Sequence, residues 1–287
     1  MMDVGTQAGL EAGGPTPFAV HPALRDTPLI FASPHSGSHY PADLGSVVLP
    51  TATLRSAEDA LVDRLIASGP SNGATLLSGL IARSYVDLNR RADEWDPMLV
   101  DDCPPGPVSS RAAAGYGIVP RLTGDGHPLY DRRLSMAEAN DRVERVHAPY
   151  HRALSDLMTA TRARHGVAVL VDWHSMPARA TGSPGGADVV LGDRHGVSCP
   201  ARLTRRLRAL FEGLGWRVAL NRPYAGGHAT QTWGRPGEGL WAIQVELNRA
   251  LYLDEATLEP GLGWSRCRKG LENVISALGQ DIDRLIR

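Results

Sequence analysis

The stretch Val167-Ala168-Val169-Leu170-Val171-Asp172-Trp173-His174-Ser175-Met176-Pro177 opens as an unbroken apolar run and closes on an acid and a histidine. Five consecutive apolar residues that stop at a polar residue read as a strand buried on both faces. Such strands belong to sheets covered by helices. Leu29 to Ala32 is a second run of this kind, stopping at Ser33-Pro34 just before His35. Ser84 to Leu88 and Ile243 to Leu247 read as further strands. Between and after these runs, apolar residues recur every three or four positions over Ala57 to Ala67, Met136 to Arg164 and Ala201 to Leu214, which predicts helices. The alternation predicts an α/β fold with a mixed central sheet flanked by helices. Trp95 to Gly117 and Arg222 to Glu238, rich in Pro and Gly, read as long loops within one catalytic domain over residues 18–287.

The chain has 287 residues, 43% hydrophobic and 21% charged, a globular balance far from that of disordered chains. Thirty basic and 31 acidic side chains leave a formal charge of -1, without the basic excess of a nucleic-acid binder. No apolar stretch approaches the roughly 18 residues of a membrane span. Met1 to Pro17 lacks the basic and apolar regions of a secretory signal and reads as a flexible lead-in. Cys103, Cys199 and Cys267 form no CxxC pair, which fits a reducing cytoplasm better than a disulfide framework. The single lysine, Lys269, argues against a catalytic-lysine mechanism. Nothing in the chain sets its oligomeric state.

In open α/β sheets ligands bind beyond the carboxyl ends of the strands, and two of the predicted strands lead there into His35 and His174. Two imidazoles and one carboxylate are a common catalytic zinc set, with a position left open for water. Glu58 and Asp59 are the nearby acids, and either could be the third ligand. Asp172, two residues before His174, could orient that imidazole from behind. Glu246 lies inside the apolar run from Trp241 to Asn248, where a buried carboxylate must be paired, liganded or held at a raised pKa. A raised pKa suits a general base. Ser36 and Ser175 follow the two histidines, but neither sits in a nucleophile elbow. Arg83, Arg90 and Arg235 are candidates for bidentate binding of a substrate carboxylate. His21, His39, His127, His147, His151, His165 and His195 read as surface or packing residues.

Taken in order, the motifs form a set. They are Ser33-Pro34-His35-Ser36-Gly37 with Tyr40-Pro41, Asp59 with Val62-Asp63-Arg64-Leu65, and Arg83 with Val86-Asp87-Leu88-Asn89-Arg90. Asp172-Trp173-His174-Ser175-Met176, Asn221 with Gly226-Gly227-His228, Gly234-Arg235-Pro236 and Gln244-Val245-Glu246-Leu247-Asn248-Arg249 follow. From about Pro28 to Glu255 the chain resembles the N-formylglutamate amidohydrolase family, deformylases of bacterial histidine degradation. The resemblance implies a phosphorylase/hydrolase-like fold related to zinc carboxypeptidases. It also implies one Zn2+ per chain and hydrolysis of N-formyl-L-glutamate to formate and L-glutamate.

Carried over by position, His35, Asp59 and His174 take the metal-ligand roles and Glu246 the general-base role. Asp59 is preferred to Glu58 because it keeps the family's spacing to Val62-Asp63-Arg64-Leu65. Relatives with a His-x-x-Glu pair place an acid where this chain has Ser38. Arg83, Asn89, Arg90, His228 and Arg235 are the candidates for substrate binding. Trp173 is expected at the mouth of the site, and the segment from Trp95 to Gly117 has no match in the family pattern. The competing readings are a zinc amidohydrolase for another N-acyl or N-formimino amino acid, a non-catalytic metabolite-binding protein and a serine amidohydrolase. Another divalent metal could replace zinc.

Overall fold

The computed structural model describes residues 16–182 and 185–287, so the lead-in expected over residues 1–17 lies outside the described residues up to residue 15. Seven strands form one mixed sheet: β1 (Phe18–His21), β2 (Leu29–Ser33), β3 (Thr75–Gly79), β4 (Ala168–Met176), β5 (Val189–Gly192), β6 (Val218–Leu220) and β7 (Leu240–Asn248). Their spatial order is β1-β3-β2-β4-β7-β5-β6. The central pairs β3·β2, β2·β4 and β4·β7 are parallel, whereas β1·β3 and β7·β5 are antiparallel. This is the mixed sheet that the alternation of runs predicts.

The helices are α1 (Thr51–Arg55), α2 (Val62–Leu65), α3 (Ser110–Ala113), α4 (Met136–Arg142), α5 (Ala148–His165), α6 (Ala201–Glu212), α7 (His228–Trp233) and α8 (Trp264–Ile286). A π-helical turn over Val143–His147 joins α4 to α5. Ser135 and Glu138 close a capping box at the start of α4, and Gly166 in the left-handed region ends α5.

Both long central strands are buried along their whole length, and side chains alternate between the two faces of a strand. Val169, Val171 and Trp173 of β4 and Ile243, Val245 and Leu247 of β7 therefore share one face, packing with Leu207 and Phe211 of α6 and Leu271, Ile275 and Leu278 of α8. Leu170 and Ala242 face the other core, against Tyr150, Leu154 and Met158 of α5. The same parity carries Asp172, His174, Gln244 and Glu246 onto the α5 side.

Several expectations change. β4 runs to Met176, so His174 lies within the strand and not in the loop after it. Trp173 is not at the mouth of the site. It is fully buried on the opposite face, edge-on to Phe31 at 5.5 Å and to Phe211 at 6.5 Å. Ser84 to Leu88 is a buried turn, not a strand, and β3 supplies the strand on that side of β2. Helix over 57–67 is confined to α2, because Leu61 takes a positive φ of 65° just before it. The long loops hold the short helices α3 and α7. Among the described residues no helix is long and apolar enough to cross a membrane.

Candidate active site

From β2 the chain continues to β3 on one side, while β4 lies on the other, so a crevice opens at their carboxyl ends, where α/β sheets bind ligands. His35 sits just after β2, and the Asp59 backbone N–H donates to the His35 carbonyl at 2.9 Å, tying the two loops together. The Asp59 Oδ2 lies 3.4 Å from His35 Nδ1 and 3.0 Å from His174 Nδ1. All three residues are buried, and one ligand atom from each lies within 4.8 Å of the others, so the group could hold a metal ion.

Each imidazole is backed by a carboxylate. His35 donates from Nε2 to Asp87 Oδ1 at 2.7 Å, and Asp172 Oδ2 lies 3.0 Å from His174 Nε2. Asn89 accepts at Oδ1 from the Ala229 N–H (3.0 Å), which turns its Nδ2 to within 3.1 Å of His174 Nε2 and 3.4 Å of Asp172 Oδ2. Asp172 and not Asn89 takes the Nε2 proton, since a carboxylate accepts and an amide nitrogen does not. Both rings thus aim Nδ1 at the Asp59 carboxylate, with an acid holding the far nitrogen, the pattern that orients ligand histidines at metal sites. Among the described residues His35 Nδ1 is buried without a hydrogen-bond partner, and a cation would satisfy it. Two nitrogens and one carboxylate suit zinc.

Of the two neighbouring acids, Asp59 faces the imidazoles and Glu58 does not. Glu58 turns its carboxylate to Tyr40 (2.5 Å) and to Arg55 (2.9 Å), away from the imidazoles. Asp59 Oδ1 faces Arg249 Nη2 at 3.3 Å, and Arg249 also donates to Ser175 Oγ and to the Ser56 and Glu58 carbonyls.

The charges are strongly biased. Burial pushes Asp59 up, but His174 and His35 outweigh it and hold the carboxyl far below the usual range. Asp87 is likewise held well below that range by Arg83, Arg90 and His35 against the effect of burial. Burial opposes the charged form of His174, yet Asp172 and Asp59 raise its pKa well above the ordinary value. Glu246, in direct register with His174 across β4·β7, is pushed up to about 7 by burial, with Asp59 and Asp172 adding to the effect and His174 and Arg83 opposing it. Its Oε1 accepts from Gln244 Nε2 at 2.7 Å.

The cleft over these residues encloses about 440 Å³ and is lined in part by Arg83, Asn89, Arg90, Arg111, Tyr224 and Glu246. A wider hollow of about 810 Å³ adjoins it, and Asn89, Arg111, Gly226 and Gly227 line both. His228 lines the wider hollow. The structure does not bring Arg235 to either: it is half exposed and paired with Glu238 at 2.8 Å.

Sequence reasoning passed over Asp87, Gln244, Arg249, His147 and His151. Asp87 sits in the Val86-to-Arg90 motif, and Gln244 shares the face of Glu246 by strand alternation. His147 and His151 have no such signal: their Nε2 atoms donate to the carbonyls of Arg90 and Leu88, both at 2.9 Å, clamping the segment that bears Asn89. Burial, with His147 and His228 nearby, pushes His151 down to about 3, so it clamps as a neutral ring.

A mixed α/β sheet that gathers a buried N,N,O triad and a carboxylate of raised pKa at its strand ends has the parts that metal-assisted hydrolysis uses. The model of the N-formylglutamate amidohydrolase family matches residues 27–253, and the chain belongs to this family. The N-formylglutamate deformylase of Pseudomonas aeruginosa is 30% identical over 233 residues, 79% of this chain and 83% of that protein. The one from Pseudomonas putida is 28% identical over 233 residues, 79% of this chain and 82% of that protein. The crystal structure of N-formylglutamate amidohydrolase from Ralstonia eutropha JMP134 superposes with a TM-score of 0.88 at 35% identity, covering 94% of this chain and 99% of that one. A structure from Agrobacterium tumefaciens shares the fold at 19% identity, with a TM-score of 0.65 over 94% of this chain and 97% of that one.

Proposed function

We propose that the chain hydrolyses the formyl amide of N-formyl-L-glutamate to formate and L-glutamate, with one zinc ion held by His35, Asp59 and His174. The observation that carries this reading is the convergence of two imidazole Nδ1 atoms on Asp59 Oδ2, beside a buried Glu246 in register with His174. A divalent cation there supplies Lewis acidity toward the formyl oxygen and acidifies water.

Glu246 is the general base. Its Oε1 is held by Gln244, which leaves Oε2, without a protein partner among the described residues, to take the water proton. The same carboxyl then returns that proton to the leaving nitrogen as the C–N bond breaks. One water is consumed, its oxygen ending in formate and its protons on the released amine and product. Arg83 keeps both Nη groups beyond its Nε bond to Asp87 and offers them to a substrate carboxylate, with Asn89, Arg90 and His228 shaping the walls. The unit runs over residues 18–287, and its three unpaired cysteines agree with a reducing cytoplasm.

The test is formate release from N-formyl-L-glutamate by zinc-loaded protein, beside chelator-stripped protein and Glu246→Gln. Turnover lost in both controls supports metal, base and substrate together. Absence of turnover in a sample holding stoichiometric zinc overturns the substrate and turns the search to other N-acyl or N-formimino amino acids.

A further inference from the structure

Five arginines line the 440 Å³ cleft: Arg83, Arg90, Arg111, Arg179 and Arg249. Four have at least one protein acceptor, Arg83 through its Nε alone. Arg90 donates to the Tyr116 and Asn89 carbonyls and lies 3.6 Å from Asp87. Arg249 is spent on Ser175, Ser56, Glu58 and Asp59. Arg179 pairs with Asp125 and the Gly124 carbonyl, and Arg83 with Asp87. Arg111 alone has no hydrogen-bond or ion-pair acceptor among the described residues, and it lines both the cleft and the wider hollow.

Its backbone is held although its side chain has no acceptor among the described residues. Ser109 caps α3 by accepting from Ala112 N–H at 3.1 Å, and its hydroxyl donates to Glu94. The Tyr116 N–H donates to the Arg111 carbonyl at 2.8 Å, while the Tyr116 carbonyl accepts from Arg90 Nε at 2.9 Å. The helix that bears Arg111 is thereby linked to the segment that bears Asn89 and Asp87. A rigid base under an unpaired planar cation is what bidentate recognition of a carboxylate needs.

We propose that Arg111 is the specificity residue of the cleft, binding the side-chain carboxylate of the acyl amino acid and selecting dicarboxylic over neutral substrates. The inference rests on the amide-hydrolase reading of the site. The chemistry separates the two acids: the α-carboxylate is two bonds from the scissile nitrogen, so it falls to Arg83, linked through Asp87 to His35. The side-chain carboxylate reaches further, to the rim where Arg111 stands between the two hollows. A carboxylate in the cleft also gives Arg111 the acceptor that it lacks among the described residues.

The test compares zinc-loaded wild type with Arg111→Met on N-formyl-L-glutamate and N-formyl-L-glutamine, which replaces only the side-chain acid by a neutral amide. Removing one charge-assisted contact lowers kcat/KM for the glutamate substrate by roughly 10- to 100-fold, mainly through KM. The glutamine substrate keeps its rate, so the preference collapses. An equal loss on both substrates, or no loss on either, overturns the assignment. Calorimetric binding of glutarate against butyrate provides a second arm that needs no turnover: Arg111→Met weakens glutarate and leaves butyrate unchanged. If wild type fails to hydrolyse N-formyl-L-glutamate, the proposed substrate falls, and the glutarate arm still decides whether Arg111 reads a second carboxylate.

Discussion

His174 and Glu246 stand opposite each other on adjacent parallel strands, paired in register across β4 and β7. One strand pair therefore carries both an imidazole of the metal-competent triad and the carboxylate that faces it. Asp172 and Gln244 form the matching pair two residues earlier on the same face, each touching the partner ahead of it on its own strand.

Glu246→Gln is expected to lower kcat by about 10²- to 10⁴-fold, the usual contribution of a general base. Its metal content stays that of wild type, checked by metal analysis. Gln244→Leu removes the donor to Glu246 Oε1 and gives a smaller fall in kcat with KM nearly unchanged. Loss of zinc in Glu246→Gln would make the residue a ligand.

Acid should switch the activity off through Glu246. The base form is required, and burial pushes its pKa up from 4.5 to about 7. A bound dication draws that value down, so the acid limb of kcat/KM should lie between those two values. Stability moves the other way. A carboxyl whose pKa is raised by folding contributes fully below its unfolded value and loses that contribution as pH rises through the folded one. Metal-free wild type should therefore lose thermal stability relative to Glu246→Gln between pH 5 and 8, as measured by paired melting curves.

Metal binding should release protons. His174 is held in its charged form by Asp172 and Asp59 despite burial, and a cation at Nδ1 displaces a proton. Zinc titration of metal-free protein in weak buffer near pH 7 should register the release. Asp87→Asn or Asp172→Asn should weaken zinc affinity by about 10- to 100-fold, measured against a competing chelator. Unchanged affinity in both would remove the backing carboxylates from the site's design.

Gly227→Ala should damage activity more than stability. A Cβ at Gly227 would stand 2.4 Å from Asn89 Nδ2, and Asn89 holds its place beside His174 and Asp172. Displacement by about 1 Å at such a site costs about 100-fold in rate. The variant should show that loss in kcat/KM while its melting temperature changes little.

The strands Leu29–Ser33, Ala168–Met176 and Leu240–Asn248 were legible because burial on both faces demands apolar runs, and their ends marked His35, His174 and Glu246. The strand at Thr75–Gly79 was not, since its mixed residues Thr75, Ser78 and Gly79 carry no period. Ser84 to Leu88 misled for the converse reason: a buried turn is as apolar as a strand, and only its hydrogen bonds to Ile118 and His151 tell them apart.

The amino-acid sequence by itself determined the sheet's core, the order of its motifs and the residue types available for chemistry, because these follow from local periodicity and composition. Tertiary structure alone decided which acid faces the imidazoles, that Trp173 fills the core, that Arg235 pairs with Glu238 and that Arg111 lines the cleft without a side-chain acceptor among the described residues. Those outcomes depend on side-chain direction and on partners far apart in the chain. His174 meets Asp59 across 115 residues, a separation that no local pattern encodes.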